Sequence, residues 1–244
     1  MATQRAAKIG RSEQLNSETK LLTLVLPEEE SLNFTGGQYV IVNTNIPLPG
    51  GKIAKRAYSI LSKDEDQSRF QIAVKKVGRG PGSNYMHETQ IGAELVFSGP
   101  WGQFVVDDSQ AGQGYTLVLA TDTGITAALG LIQGIKFKSL AQNAQIVWMV
   151  ESEKYFIPQS FVREICSANS LNFKAALIPS VNHPERLSKA LEIFAQISVP
   201  QNIFLSGDGA LLYPFKERLM TNGVQESQIK IECFFNNPFK KVSV

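Results

Sequence analysis

The feature that most constrains the fold is a change of grammar part-way along the 244-residue chain. Between Thr19 and Phe104, short β-type runs at residues 21–26, 38–43, 57–61, 70–77 and 94–98 are broken by turn residues. Six or so short strands at this spacing predict a six-stranded antiparallel β-barrel. Beyond Gly114, apolar runs at 116–120, 145–150, 173–178 and 202–205 alternate with helical patterns at about 125–137, 159–167, 184–195 and 213–222, and a last strand is expected at 228–235. That alternation predicts an α/β domain with a parallel sheet, which takes ligands beyond the carboxyl ends of its strands and near helix N-termini. The polar, glycine-containing stretch 107–114 separates the two patterns, so domains are expected at 1–110 and 111–244.

Composition narrows the function. With 43% hydrophobic and 19% charged residues the chain is an ordinary globular mixture, and a formal charge of +2 is too near zero for a nucleic-acid surface. A local basic patch at Lys52, Lys55, Lys75 and Lys76 can still meet an acidic partner. No apolar run approaches the length of a membrane span, and the first 14 residues are polar, so a cytoplasmic protein without membrane insertion is expected. Cys166 and Cys233 cannot supply the four thiolates of an iron-sulfur cluster and are expected to be reduced. With His87 and His183 the only histidines, no metal-ligand cluster is expected either. No Gly-x-Ser-x-Gly elbow follows a strand, which argues against a serine hydrolase.

Chemistry-bearing residues concentrate at Arg56-Ala57-Tyr58-Ser59. An arginine fork suits a pyrophosphate, a tyrosine ring can lie against an isoalloxazine face, and a serine hydroxyl can reach a ring nitrogen whose protonation changes on reduction. An edge strand with ordinary polar side chains explains these four residues equally well. Downstream, a glycine-rich turn at 78–83 leads into a short helical pattern, where Gly80, Gly82 and Ser83 would let backbone amides approach an anion. Taken alone, that segment is also a plain surface loop.

Taken in order, Gly37-Gln38-Tyr39, Arg56-x-Tyr58-Ser59, the turn ending in Ser83, Gly99-Pro100-Trp101-Gly102-Gln103-Phe104, the segment Leu119 to Ile125 and Phe204-Leu205-Ser206-Gly207-Asp208 resemble the ferredoxin-NADP reductase superfamily over nearly the whole chain. The resemblance implies FAD in the barrel, with Arg56 on its pyrophosphate, Tyr58 on the ring face, Ser59 near N5 and Val74 a further cofactor contact. Gly80, Gly82 and Ser83 would make the second phosphate contact. In the second domain, Thr121, Asp122, Thr123, Gly124, Gly207 and Asp208 would hold NADH or NADPH. Ser206 stands where the family has a cysteine near the nicotinamide, which implies slower hydride transfer. Glu232 matches the acid of the family's terminal strand, with Tyr58, Ser59 and Ser206 as the other catalytic candidates. Phe234 or Phe235 would cover the second flavin face, unless both are core residues.

The chain departs from the pattern at Asp122, usually glycine, and Ala127, usually proline. Asp122 would cap the following helix or face the nucleotide. In the second case, two unit charges about 5 Å apart at an effective dielectric near 20 repel by roughly 3 kcal/mol. Where NADP-binding members carry cations, this chain has Glu151 and Asn182-His183, so NADH is expected over NADPH. The resemblance therefore implies an FAD-dependent reductase passing electrons between NAD(P)H and a ferredoxin, a flavodoxin or an oxygenase component. The departures raise the alternative of an electron-transfer or regulatory flavoprotein subunit that has lost efficient nucleotide binding.

Overall fold

The computed structural model describes residues 4–48, 50–78, 80–107, 110, 114–153 and 155–239. Strands β1 (Arg5–Gln14), β2 (Thr19–Val25), β3 (Tyr39–Pro47), β4 (Ile53–Ser59), β5 (Arg69–Lys75) and β6 (Glu94–Trp101) form an antiparallel sheet in the order β4-β3-β6-β1-β2-β5. Just past β4, the Leu61 amide donates to the Gln71 carbonyl of β5 at 2.8 Å and draws the two edges of the sheet together. Inward alternation fills the barrel with Leu22, Leu24, Val40, Val42, Ile72 and Val74, around an edge-to-face pair of Phe70 and Phe97 at 5.3 Å. Helix α1 (Pro81–Glu88) follows β5, with proline at its start where no amide partner is needed.

Strands β7 (Thr116–Thr121), β8 (Ala144–Val150), β9 (Asn172–Leu177), β10 (Asn202–Asp208) and β11 (Ile229–Phe235) make an all-parallel sheet ordered β11-β10-β7-β8-β9. Helices α2 (Ile125–Ile132), α3 (Gln159–Ala168), α4 (Arg186–Phe194) and α5 (Gly209–Thr221) cover it. Every residue of β7 and β10 is buried, as a doubly covered sheet requires. Phe194 of α4 stacks on Phe215 of α5 at 4.5 Å.

The two lobes share a core. Leu61, Ala73, Phe104 and Val106 of the barrel pack with Val118, Ile125, Leu129 and Phe204, and Phe104 meets Phe204 edge to face at 5.8 Å. Gly130 of α2 brings the helix against the barrel, where an added Cβ would stand 2.1 Å from the Ile60 carbonyl oxygen. Asp64 ties the seam. Its Oδ2 accepts the Gly36 amide at 2.9 Å and its Oδ1 the Ile135 amide at 2.8 Å.

Several sequence expectations need correction. The polar first 14 residues contain β1, which lies between β6 and β2 in the sheet. Only Ala7 and Ile9 are buried along it, too short an alternation to stand out. The strand expected at 57–61 starts at Ile53. The helix expected over 125–137 ends at Ile132, and a separate 3-10 turn, Ile135–Ser139, follows Gly134. Helix α5 begins at Gly209, not 213, because Asp208 caps it by accepting the Ala210 amide at 3.0 Å. The expected junction between 110 and 111 falls in a stretch where 108, 109 and 111–113 lie outside the described residues. Among the described residues no helix is long and apolar enough to cross a membrane.

Candidate functional site

A cleft of about 270 Å3 opens between the lobes. Arg56, Tyr58 and Ser59 of β4 line it together with Ala73 and Lys75 of β5, Gly80, Ser83, Thr123, Thr126, Phe156 and Phe234. A second cleft, lined by Tyr39, Ile41, Ala57, Ser59, Glu232, Cys233 and Phe234, shares Ala57, Ser59 and Phe234 with the first, so the two adjoin. Of the two terminal-strand phenylalanines, it is Phe234, 38% exposed, that lines both.

The anion end is built by α1 and Arg56. Gly80, the N-cap, makes no side-chain cap, so the first amides of the helix keep no partner from it. Ser83 shapes the turn: its hydroxyl accepts the Val77 amide at 3.1 Å and lies 3.0 Å from the Gly80 carbonyl oxygen. A Cβ on Gly82 would stand 3.1 Å from Arg56 Cγ and 3.2 Å from Nε, so glycine is what lets the guanidinium lie beside the helix start. Exposed Arg56 lines the cleft and donates from Nη1 to its neighbour Lys55 O at 2.8 Å, one of its five N–H donors. A cation beside uncapped amides is the donor set a pyrophosphate requires.

Farther in, burial pushes the Tyr58 phenol up to about 12, against the opposing effect of Arg56, so the ring stays neutral. Ser59 is buried, and its Oγ stands 3.2 Å from Thr126 Oγ1 of α2, hydroxyl to hydroxyl across the lobes. Val74 belongs elsewhere. Its side chain fills the barrel core and its carbonyl meets His87 Nε2 at 2.9 Å, while its neighbours Ala73 and Lys75 face the cleft.

At the carboxyl ends of β7 and β10 the expected nucleotide residues are brought together but turned into the structure. Thr121 Oγ1 accepts the Asp208 amide at 2.8 Å, and the Ser206 hydroxyl, fully buried, donates to the Gly124 carbonyl at 2.9 Å. Gly207 has φ +127, and a Cβ there would stand 2.3 Å from the Thr121 carbonyl oxygen, so the two turns touch backbone to backbone. Of this set only Thr123 lines the first cleft.

Asp122 does not cap α2. It sits at φ +50 at the start of a 3-10 turn, Asp122–Gly124, and the helix N-cap is Gly124. Its carboxylate is fully buried and ion-paired with Arg186, a residue sequence reading missed because 64 positions separate the pair. The Trp148 indole holds the Asp122 carbonyl at 2.9 Å. Burial raises the Asp122 carboxyl to about 6, with Arg186 opposing and the Asp208 and Glu151 charges adding to the rise.

Because that folded value lies above the ordinary 3.8, folding favours the protonated form. The resulting stabilisation is complete below about pH 4 and is lost as pH rises through about 6. We expect the melting temperature of wild type to fall by a few degrees relative to Asp122→Asn across this window. A difference independent of pH would refute the assignment.

Residues 6–106 match the family described as the oxidoreductase FAD-binding domain. Ferredoxin--NADP reductase B of Sorangium cellulosum is 41% identical over 124 residues, covering 51% of this chain and 49% of that protein. Over about half its length the chain is thus similar in sequence to a ferredoxin-NADP reductase. NADH-cytochrome b5 reductase 1 of Cryptococcus neoformans var. neoformans is 31% identical over 130 residues, 53% of this chain and 42% of that protein. The chain thus spans about half the length of these curated relatives. The solved ferredoxin reductase in carbazole 1,9a-dioxygenase has a similar fold, with a TM-score of 0.75 at 17% identity, covering 96% of this chain and 70% of that one. The barrel is accordingly an FAD-binding domain, and the cradle of Arg56, Gly82 and the α1 amides fits that cofactor.

Proposed function

We propose that the protein is an FAD-dependent reductase that moves electrons between a nicotinamide nucleotide and a one-electron carrier such as a ferredoxin, a flavodoxin or an oxygenase component. The observation that carries this reading is the adjoining pair of clefts, with a cation and uncapped helix amides at one end and Phe234 and Glu232 at the other. Bound FAD would supply the exchange between two-electron and one-electron chemistry. Arg56 and α1 would hold its pyrophosphate, Tyr58 would lie against the ring, and Ser59, steadied by Thr126, would present a hydroxyl to its edge. Phe234 would shield the opposite face from water until a nucleotide displaces it. The similarity to a ferredoxin-NADP reductase and to an NADH-cytochrome b5 reductase supports a carrier protein as the electron partner.

Glu151, exposed just past β8, and exposed Asn182 and His183 beyond β9 put no permanent cation where a 2'-phosphate would be read. One such repulsion is worth about 1.4 kcal/mol, so we expect NADH to exceed NADPH in kcat/KM by about tenfold. Anaerobic titration of the purified protein with each nucleotide, followed by flavin absorbance, measures this. A strong NADPH preference at moderate salt would overturn it. The second reading, an electron-transfer or regulatory subunit that does not use the nucleotide, is favoured by the Asp122–Arg186 pair and predicts bleaching with neither.

A further inference from the structure

In the order β11-β10-β7-β8-β9 the chain runs outward from β7 to β9 and then returns to the other side of β7. The crevice beyond the carboxyl ends of β7 and β10 is thus the switch point, where parallel sheets of this kind take ligands and where helix N-termini receive phosphates. Here it already holds an ion cluster. Arg186, 4% exposed in the first turn of α4, points Nη2 at Asp122 Oδ2 and donates from Nη1 to the Pro179 carbonyl at 2.5 Å. Its Nε stands 3.6 Å from Asp208 Oδ2, too far for a hydrogen bond.

The cluster is incompletely matched. Buried Asp122 Oδ1 and Arg186 Nε have no hydrogen-bond partner among the described residues, although a guanidinium and a carboxylate can form two parallel bonds. Asp208 is committed elsewhere: its Oδ1 accepts the Ala210 amide at 3.0 Å and Asn236 Nδ2 at 2.9 Å. Asp122 is therefore the only carboxylate hydrogen-bonded to the Arg186 guanidinium among the described residues, and it reaches it from the left-handed backbone position that glycine tolerates best.

We propose that Asp122 is a built-in occupant of the phosphate end of the nucleotide crevice. Its carboxylate holds the guanidinium that a pyrophosphate would otherwise engage, so nucleotide affinity is set by exchange of Asp122 for phosphate on Arg186. This rests on the reading of the second lobe as a nicotinamide-nucleotide domain. It also replaces the simple repulsion expected from the sequence: the aspartate is paired, and the obstacle is occupancy of both the space and the cation.

The test uses FAD-loaded protein and redox-inert ADP-ribose, with dissociation constants from equilibrium dialysis at low salt. Wild type should bind weakly. Asp122→Gly, which keeps a permitted backbone and uncovers Arg186, should tighten binding by about tenfold or more, and Asp122→Asn by less. The gain should vanish in Asp122→Gly combined with Arg186→Met. If Asp122→Gly loses its native near-ultraviolet circular dichroism, Asp122→Asn decides. Tight wild-type binding unchanged by either substitution would overturn the proposal. So would a gain that survives loss of Arg186, or no binding by any variant. Failure of the flavin reading is distinct, because it would show as protein without flavin absorbance before any ligand is added.

Discussion

Arg56→Ala is expected to purify with substoichiometric FAD and to bind added FAD about one to two decades more weakly than wild type. A charge-assisted contact of this kind contributes roughly 1.5 to 3 kcal/mol, and about 1.4 kcal/mol is a decade of affinity. The side chain is exposed and its packing partner is Gly82, so its loss should scarcely change folding and the effect falls on the cofactor. Fluorescence titration of the apoprotein with FAD measures it. Undiminished flavin occupancy after dialysis would remove Arg56 from the pyrophosphate site, and FMN as the bound flavin would show that the adenine end contributes nothing.

A comparable loss, of stability this time, is expected from Gly130→Ala. Alanine in a helix is favoured over glycine by about 1 kcal/mol, so a helix considered alone would gain. Against that, the new Cβ would lie 2.1 Å from the Ile60 carbonyl oxygen, a backbone atom that cannot rotate away. Overpacking costs about 1–3 kcal/mol and sometimes more, and here the lobes must part to relieve it. We expect a net destabilisation of about 2 kcal/mol, or about 4–8 °C in Tm for a chain of this size. Parting the lobes also stretches the Ser59–Thr126 contact, so flavin retention should fall with Tm. A raised Tm would mean that helix propensity wins and that the contact is softer than its geometry implies.

The parts of the site legible in the sequence were those whose geometry is local. Arg56, Tyr58 and Ser59 lie on one strand, and Gly80, Gly82 and Ser83 on one turn, so their order along the chain is nearly their order in space. Both sheets were legible as well, because strand alternation in one half and apolar runs between helices in the other are period effects. Strand β1 escaped because Ala7 and Ile9 alone face the core. Alternation along β5 puts Ala73 and Lys75 on the cleft face and turns the Val74 side chain to the barrel core. Arg186 and Asp64 were out of reach, since each acts across the fold, on Asp122 and on the Gly36 and Ile135 amides. Nothing local marks such pairs.

Asp64 has one more consequence. Each of its two oxygens serves a backbone amide from a different lobe, and Phe104 lies against Phe204 across the same boundary. Neither half carries the whole joint. Cut apart, the barrel would lose the Ile135 amide from its Asp64 carboxylate, and both halves would turn an apolar face to water. The two halves are thus poor interchangeable modules. A chimera that grafts this barrel onto a foreign partner must import the joint too, with Gly36 and Asp64 from one parent and residues equivalent to Gly130 and Ile135 in the other.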